Sequence, residues 1–470
     1  MISETKYHRL SSLIKLESGA FLDDVTIAYE KYGCDFEEGN TILVCHALSG
    51  DAHAAGFHEG DSKPGWWDGI IGEGKALDTN KYCIIATNVI GGCKGSTGPS
   101  SINKKTGKPY GRNFPVVTVS DMVNAQHKFL EELGVHELYA VIGGSMGGMQ
   151  SLTWAVKYPE FVRRAVVIAS AGYSTPMHIA FGAVQRAAVM SDERNGLALA
   201  RMMAHITYLS DESMRKKFGR RLQENEKLEY GFDTEFSVES YLQHQGKAFI
   251  ERFSPDSYLY ITKAIDYFDL TKDGNLAKGL LGISAKTLVI SVSSDWLYPP
   301  YLSEEIVSAL TINGCDVQYS KIISPYGHDA FLLENNQLNY IVGRFLTPER
   351  VADVMIKNPP VVCDCAKISQ AAEIMIEKET DHIPVVSADG KLTGIVTSWD
   401  VAKSVALNKE NLNEIMTKDV VTIKETATIN DAAHILEKYR ISALPVLSKD
   451  NHVIGIITSG IISNAVGGVQ

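Results

Sequence analysis

Short β-branched apolar runs alternate with longer stretches of helical periodicity through the first two-thirds of the chain. The runs fall at residues 41–44, 82–87, 138–142, 165–168, 287–292 and 317–323. Such alternation predicts an α/β fold with a mostly parallel sheet flanked by helices. Between Thr175 and about Gly282 the strand pattern stops and helical spacing takes over, as at 198–206 and 238–249. This predicts a helical insertion, placed to act as a lid over a site.

The last 120 residues repeat themselves at a constant offset of 61 positions. Met355 matches Met416, Ala371-Ala372 matches Ala432-Ala433, and Ile383-Pro384-Val385 matches Leu444-Pro445-Val446. Gly394-Ile395-Val396-Thr397-Ser398 likewise matches Gly455-Ile456-Ile457-Thr458-Ser459. A repeat this regular means two copies of one structural unit, here a smaller α+β domain. The break near Thr347-Pro348 predicts domains at 1–347, 348–407 and 408–470.

Composition narrows the function classes. Hydrophobic residues are 45% and charged residues 21% of the chain, ordinary usage for a folded globular protein. A net charge of −11, with Lys and Arg spread along the length, argues against a nucleic-acid partner, which needs a concentrated basic face. No apolar run approaches a membrane span, and Met1 to Lys6 lacks the apolar region of a signal peptide, so a cytoplasmic chain is expected. Seven cysteines, with no CxxC pair, read as reduced and mostly structural thiols. Cys363 and Cys365 stand one residue apart, but no matching pair follows at zinc-site spacing.

The strongest chemical motif is Gly143-Gly144-Ser145-Met146-Gly147, directly after one predicted strand and directly before a helical pattern at 149–157. A serine on a tight strand-to-helix turn, with glycine on either side to relieve crowding, is a nucleophile elbow of the α/β-hydrolase fold. Its hydroxyl needs a base, and the base needs a partner that fixes its tautomer. In this fold the order is serine, acid, histidine, and the loops after the last two strands supply Asp295 and His328. Alone, each reads as a helix-capping residue; together with Ser145 they read as a triad.

His46, His53 and His58 follow an early strand, yet no spacing places two of them on one helical face, so no metal is expected there. That loop reads better as one half of an oxyanion hole, with backbone N–H groups from Leu48 and Met146. The glycine-rich stretch 91–98 lacks the Gly-Lys-Ser/Thr core of a phosphate loop, because Lys94 precedes its glycine.

These residues resemble the homoserine O-acetyltransferase family. The stretches that carry the resemblance are 46–53, Trp66-Trp67, the 88–111 loop, the 143–150 elbow, 200–202, 205–210, 218–222 and 326–329, covering about residues 7 to 346. The resemblance implies Ser145 as nucleophile, Asp295 as acid and His328 as base, with Arg201 and Asp329 contacting substrate. It also implies acetyl-CoA as co-substrate, L-homoserine as acceptor, a ping-pong reaction in methionine biosynthesis, no permanently bound cofactor, and a homodimer. A zwitterionic acceptor suits one cation and one anion. The segment 190–196 is shorter than the corresponding loop in many relatives. Succinyl transfer, serine as acceptor, an esterase using water, and a ligand-binding regulator stand as alternatives. The C-terminal repeats resemble CBS domains, which implies an adenine nucleotide or S-adenosylmethionine near Thr397 and Asp400; in the second copy Ile461 replaces the carboxylate.

Overall fold

Five consecutive buried residues in Thr41–Cys45, Cys83–Thr87 and Ala140–Gly144 mark strands covered on both faces. The computed structural model, which describes residues 1–37, 39–223, 227–347 and 350–467, assembles them into one eight-stranded sheet. Its strands are β1 (Lys6–Arg9), β2 (Thr26–Gly33), β3 (Thr41–Cys45), β4 (Cys83–Thr87), β5 (Ala140–Gly144), β6 (Arg164–Ile168), β7 (Lys286–Val292) and β8 (Val317–Ile322). They lie in the order β1-β2-β4-β3-β5-β6-β7-β8. Six strands from β3 to β8 run parallel, and β1 and β2 add antiparallel pairing at one edge. Period-2 alternation divides the core in two. Leu43, Cys45, Ile85, Val141 and Val167 face one side, and Ile42, Val44, Ile84, Ile142 and Ile168 the other.

Each of the six predicted runs overlaps one of these parallel strands, the run at 138–142 beginning two residues before its strand. After β8, the chain forms two helices separated at Glu334, Ala330–Leu333 and Asn335–Leu346. Helices α1 (Val119–Glu132) and α2 (Met146–Lys157) flank the sheet. Between β6 and β7 the chain is helical: α3 (Pro176–Ser191), α4 (Glu193–Tyr208), α5 (Asp211–Lys217), α6 (Ser237–Ile250), α7 (Pro255–Asp266) and α8 (Leu276–Gly279). Between α3 and α4 there is a single residue, Asp192. Asp192 closes α3 and caps α4, accepting from the N–H groups of Arg194 and Asn195. A Cβ on Gly196 would stand 1.9 Å from the Ala188 carbonyl oxygen, so only glycine lets α4 lie this close to α3.

The chain divides into two units, Met1–Leu346 and Thr347–Gln470. Pro348, at the expected boundary, lies outside the described residues. In the second unit each strand and helix of the first copy recurs 61 residues on: His382–Val386 as Ala443–Leu447, Leu392–Thr397 as Val453–Thr458, Ile368–Glu377 as the start of Ile429–Tyr439. The sheets do not close copy by copy. Ile356–Lys357, from the leading segment, pairs with Val453–Thr458, while Thr417 bridges to Ile395. Cys363 and Cys365 form a disulfide, unlike the thiols read from the sequence; the turn after Val362–Cys363 holds their Cα atoms 5.2 Å apart, within bonding range. No helix among the described residues is long and apolar enough to cross a membrane.

Candidate active site

Ser145 sits between β5 and α2 with φ 58° and ψ −122°, a conformation that non-glycine residues rarely adopt. The strain is held from both sides. The Ser145 N–H donates to the Ile168 carbonyl at 2.9 Å, and the Ser170 hydroxyl donates to the Ser145 carbonyl at 2.9 Å. The flanking glycines permit the turn: a Cβ on Gly147 would lie 2.1 Å from the Cys45 carbonyl oxygen, and one on Gly143 2.4 Å from Gly147. The serine side chain opens on a narrow cavity of about 70 Å³, lined also by Leu48, His178, Phe181, Tyr208 and Tyr298.

Asp295 and His328 meet. The His328 Nδ1–H donates to Asp295 Oδ2 at 2.6 Å, both residues being buried. Asp295 Oδ1 accepts the N–H groups of Leu297 and Tyr298 at 2.9 and 2.8 Å, so one oxygen caps the turn while the other orients the imidazole. Asp295 thus combines a turn contact with a contact to the imidazole, while the N-cap of the following helix is Pro299. Tyr298 lines the same cavity as Ser145, and its ring stacks on His328 at 5.0 Å and 25°. Burial pushes the Tyr298 phenol far above its ordinary value, so it stays neutral.

The loop after β3 brings Leu48 to the cavity that Ser145 lines. Among the described residues, the backbone N–H groups of Leu48 and Met146 have no protein acceptor. His46 holds this loop from beneath: its Nδ1–H donates to the Ala47 carbonyl at 2.7 Å, and its Nε2 accepts the Val89 N–H at 3.1 Å. Burial lowers the pKa of His46 and keeps it neutral. The Gln150 amide adds a bond to the His46 carbonyl at 3.1 Å and is itself held by Gln126 at 2.8 Å.

Arg201 and Asp329 do not line the narrow cavity. The Arg201 guanidinium lies over Phe249 at 4.7 Å and Tyr208 at 5.6 Å, and reaches the Ser49 hydroxyl at 3.4 Å. Burial raises the pKa of Asp329, while the neighbouring His328 and Arg201 oppose the rise. Arg252, absent from the sequence reading, donates to the Ser49 carbonyl at 3.1 Å and shares the Phe249 ring at 5.1 Å. Tyr298 and Arg252 had no motif to announce them, and Tyr208 lay in the 205–210 stretch without a role assigned to it. In the second unit, Thr397 and Asp400 form a capping box: the Thr397 N–H and hydroxyl donate to Asp400 Oδ2 at 2.9 and 2.7 Å. At the matching place in the second copy, Thr458 Oγ1 accepts the Ile461 N–H at 3.3 Å, with no carboxylate.

Residues 40–335 match the alpha/beta hydrolase fold family, and 351–407 and 412–468 each match the CBS domain. A homoserine O-acetyltransferase of Methanocorpusculum labreanum is 64% identical, over 98% of this chain and 97% of that protein. One from Methanohalobium evestigatum is 57% identical, over 98% of each. Among solved structures, homoserine O-acetyltransferase from Bacillus anthracis is 28% identical with a TM-score of 0.69, over 74% of this chain and 98% of that one. Esterase E22 is 32% identical with a TM-score of 0.68, over 73% and 100%. A strained serine on the elbow and a buried histidine-carboxylate pair thus accompany high identity along nearly the whole length, and the chain belongs to the homoserine O-acetyltransferase family, with a C-terminal pair of CBS domains.

Proposed function

We propose that the chain transfers the acetyl group of acetyl-CoA to the side-chain hydroxyl of L-homoserine through an acyl-Ser145 intermediate. The observation that carries this reading is the elbow: Ser145 is fixed beside two unengaged N–H donors and shares its cavity with Tyr298, whose ring stacks on an imidazole that Asp295 orients. With Nδ1–H given to Asp295, the Nε2 lone pair of His328 is free to take the Ser145 proton. The serine oxygen attacks the thioester carbonyl, and the N–H groups of Leu48 and Met146 receive the oxyanion. CoA leaves as its thiol, taking the proton from His328. The homoserine hydroxyl then yields its proton to His328 and attacks the acyl-serine, which releases O-acetylhomoserine and restores the Ser145 hydroxyl. Arg201 is assigned to the acceptor's carboxylate and Asp329 to its ammonium; a buried carboxylate gains most from an arriving cation.

The test is a panel of acetyl-CoA and succinyl-CoA against homoserine, serine and water. The proposal requires acetyl transfer to homoserine to dominate. The likeness to esterase E22 favours a second reading, hydrolysis, in which the same residues deliver the acyl group to water. Equal product with and without homoserine selects that reading. For the C-terminal pair, the proposed role is to bind an adenine nucleotide or S-adenosylmethionine beside Thr397 and Asp400, whose Oδ2 is engaged in the capping box. Calorimetry on the full chain with AMP, ATP and S-adenosylmethionine, repeated on Asp400→Ala, tests it. Absence of heat with all three leaves the pair as a scaffold for the proposed homodimer.

A further inference from the structure

Glu30 is fully buried on β2, and both its oxygens are saturated. Oε1 accepts from the Thr5 hydroxyl at 3.0 Å and from His58 Nε2 at 2.8 Å; Oε2 accepts from the Tyr32 hydroxyl at 2.8 Å and from His53 Nδ1 at 3.1 Å. A carboxylate can only accept, so each histidine turns an N–H toward Glu30. The opposite nitrogens, His53 Nε2 and His58 Nδ1, then carry lone pairs. They converge on a single oxygen, Asp61 Oδ2, at 3.6 and 3.7 Å, too far for hydrogen bonds. His53 Nε2 is buried without any hydrogen-bond partner. The two rings lie 3.9 Å apart, tilted by 36°.

Two ring nitrogens that each face one carboxylate oxygen, which also accepts the His58 backbone N–H at 3.1 Å, suit a cation. Ligands at zinc-type bond lengths in a tetrahedral shell stand about 3.3–3.6 Å from each other, close to the spacings here. We propose that His53 Nε2, His58 Nδ1 and Asp61 bind a divalent transition cation of the zinc type, with solvent as fourth ligand. Glu30 is the positioning carboxylate behind both imidazoles, an arrangement that fixes tautomer and raises ligand basicity. Entry is open, since the His58 and Asp61 side chains are 34% and 40% exposed. The sequence disfavoured a metal because no helix pairs these histidines. The structure pairs them across a loop instead, and leaves out His46, whose nitrogens are both engaged.

The ion would clamp the loop that carries Leu48 to β2 through Glu30. Zinc titrated into the tag-free, chelator-treated full chain is followed by calorimetry, and cobalt(II) by its visible absorption. The proposal predicts one ion per chain, the d–d bands of a four-coordinate nitrogen and oxygen site, and a raised Tm. His58→Ala and Asp61→Asn should each weaken binding by at least about tenfold and alter the cobalt bands, and Glu30→Gln by roughly 10–100-fold. Asp61 is exposed enough that its variant should fold whether or not Glu30→Gln does. Failure of wild type to bind at micromolar zinc, or a cobalt spectrum identical in wild type and both ligand variants, overturns the proposal; the lone pairs then hold water only.

Discussion

At the residue scale the proposed triad acts as a unit. Ser145→Ala and His328→Ala are each expected to lower turnover by about 10⁶-fold, and Asp295→Asn by about 10⁴-fold, because the asparagine favours the wrong imidazole tautomer. Steady-state rates check this; Ser145→Ala retaining more than about a hundredth of activity contradicts it. A second residue-scale consequence concerns acid. His205 is pulled down to about 3, by burial first and then by the Arg201 cation. Its folded pKa lies below the ordinary 6.5, so the unfolded chain takes the proton first. The stability from keeping His205 neutral is therefore full above about pH 6.5 and is lost as pH falls toward 3, by up to about 1.4 kcal/mol per unit. Urea midpoints between about pH 7 and 5 should fall less steeply in His205→Gln than in wild type; parallel slopes refute the assignment. Ser145, Asp295 and His328 were legible in the sequence because their order follows strand ends. Tyr298 and Arg252 were not, since their contacts come from helix and turn packing that no local spacing encodes.

At the scale of elements, the elbow is built on two backbone approaches that tolerate no side chain. Gly147→Ala places a methyl 2.1 Å from the Cys45 carbonyl oxygen of β3, where the sheet cannot yield. A destabilisation of at least about 2 kcal/mol should follow, read as a lowered Tm together with lost activity. A Tm within error of wild type contradicts the crowding argument. Five of the six parallel strands, β3 to β7, were legible because both faces are apolar; β8 is largely exposed. The edge pair was not legible. In β2 an inward position is Glu30, whose charge hides the alternation of Ala28 and Tyr32, and β1 is mostly exposed. Residues 330–345 show apolar helical spacing throughout yet hold a break, because Glu334 ends the first helix with ψ 56°.

At the scale of the whole molecule, the two CBS copies are interdependent. Val351 lies in the core of the second copy, with Val354 and Met355 packed on it; Leu412 lies in the core of the first, with Ile415 and Met416 beside it. A chain ending at Lys409 should therefore expose apolar residues in both directions and lose its second unit to limited proteolysis, while residues 1–346 resist. A truncated chain as resistant as full length contradicts this exchange. The 61-residue repeat announced two copies, but not that each lends its leading segment to the other, because pairing between copies leaves no periodic trace. The central claim, an acyl-serine reserved for homoserine, has one direct measurement. Intact mass spectrometry of the enzyme mixed with acetyl-CoA alone should show one added acetyl group, mapped to the peptide bearing Ser145, and absent in Ser145→Ala. Homoserine should discharge it far faster than buffer does, because a transferase must keep water from the ester. An acetyl group on another residue, or one lost to water at the same rate with and without homoserine, contradicts the account.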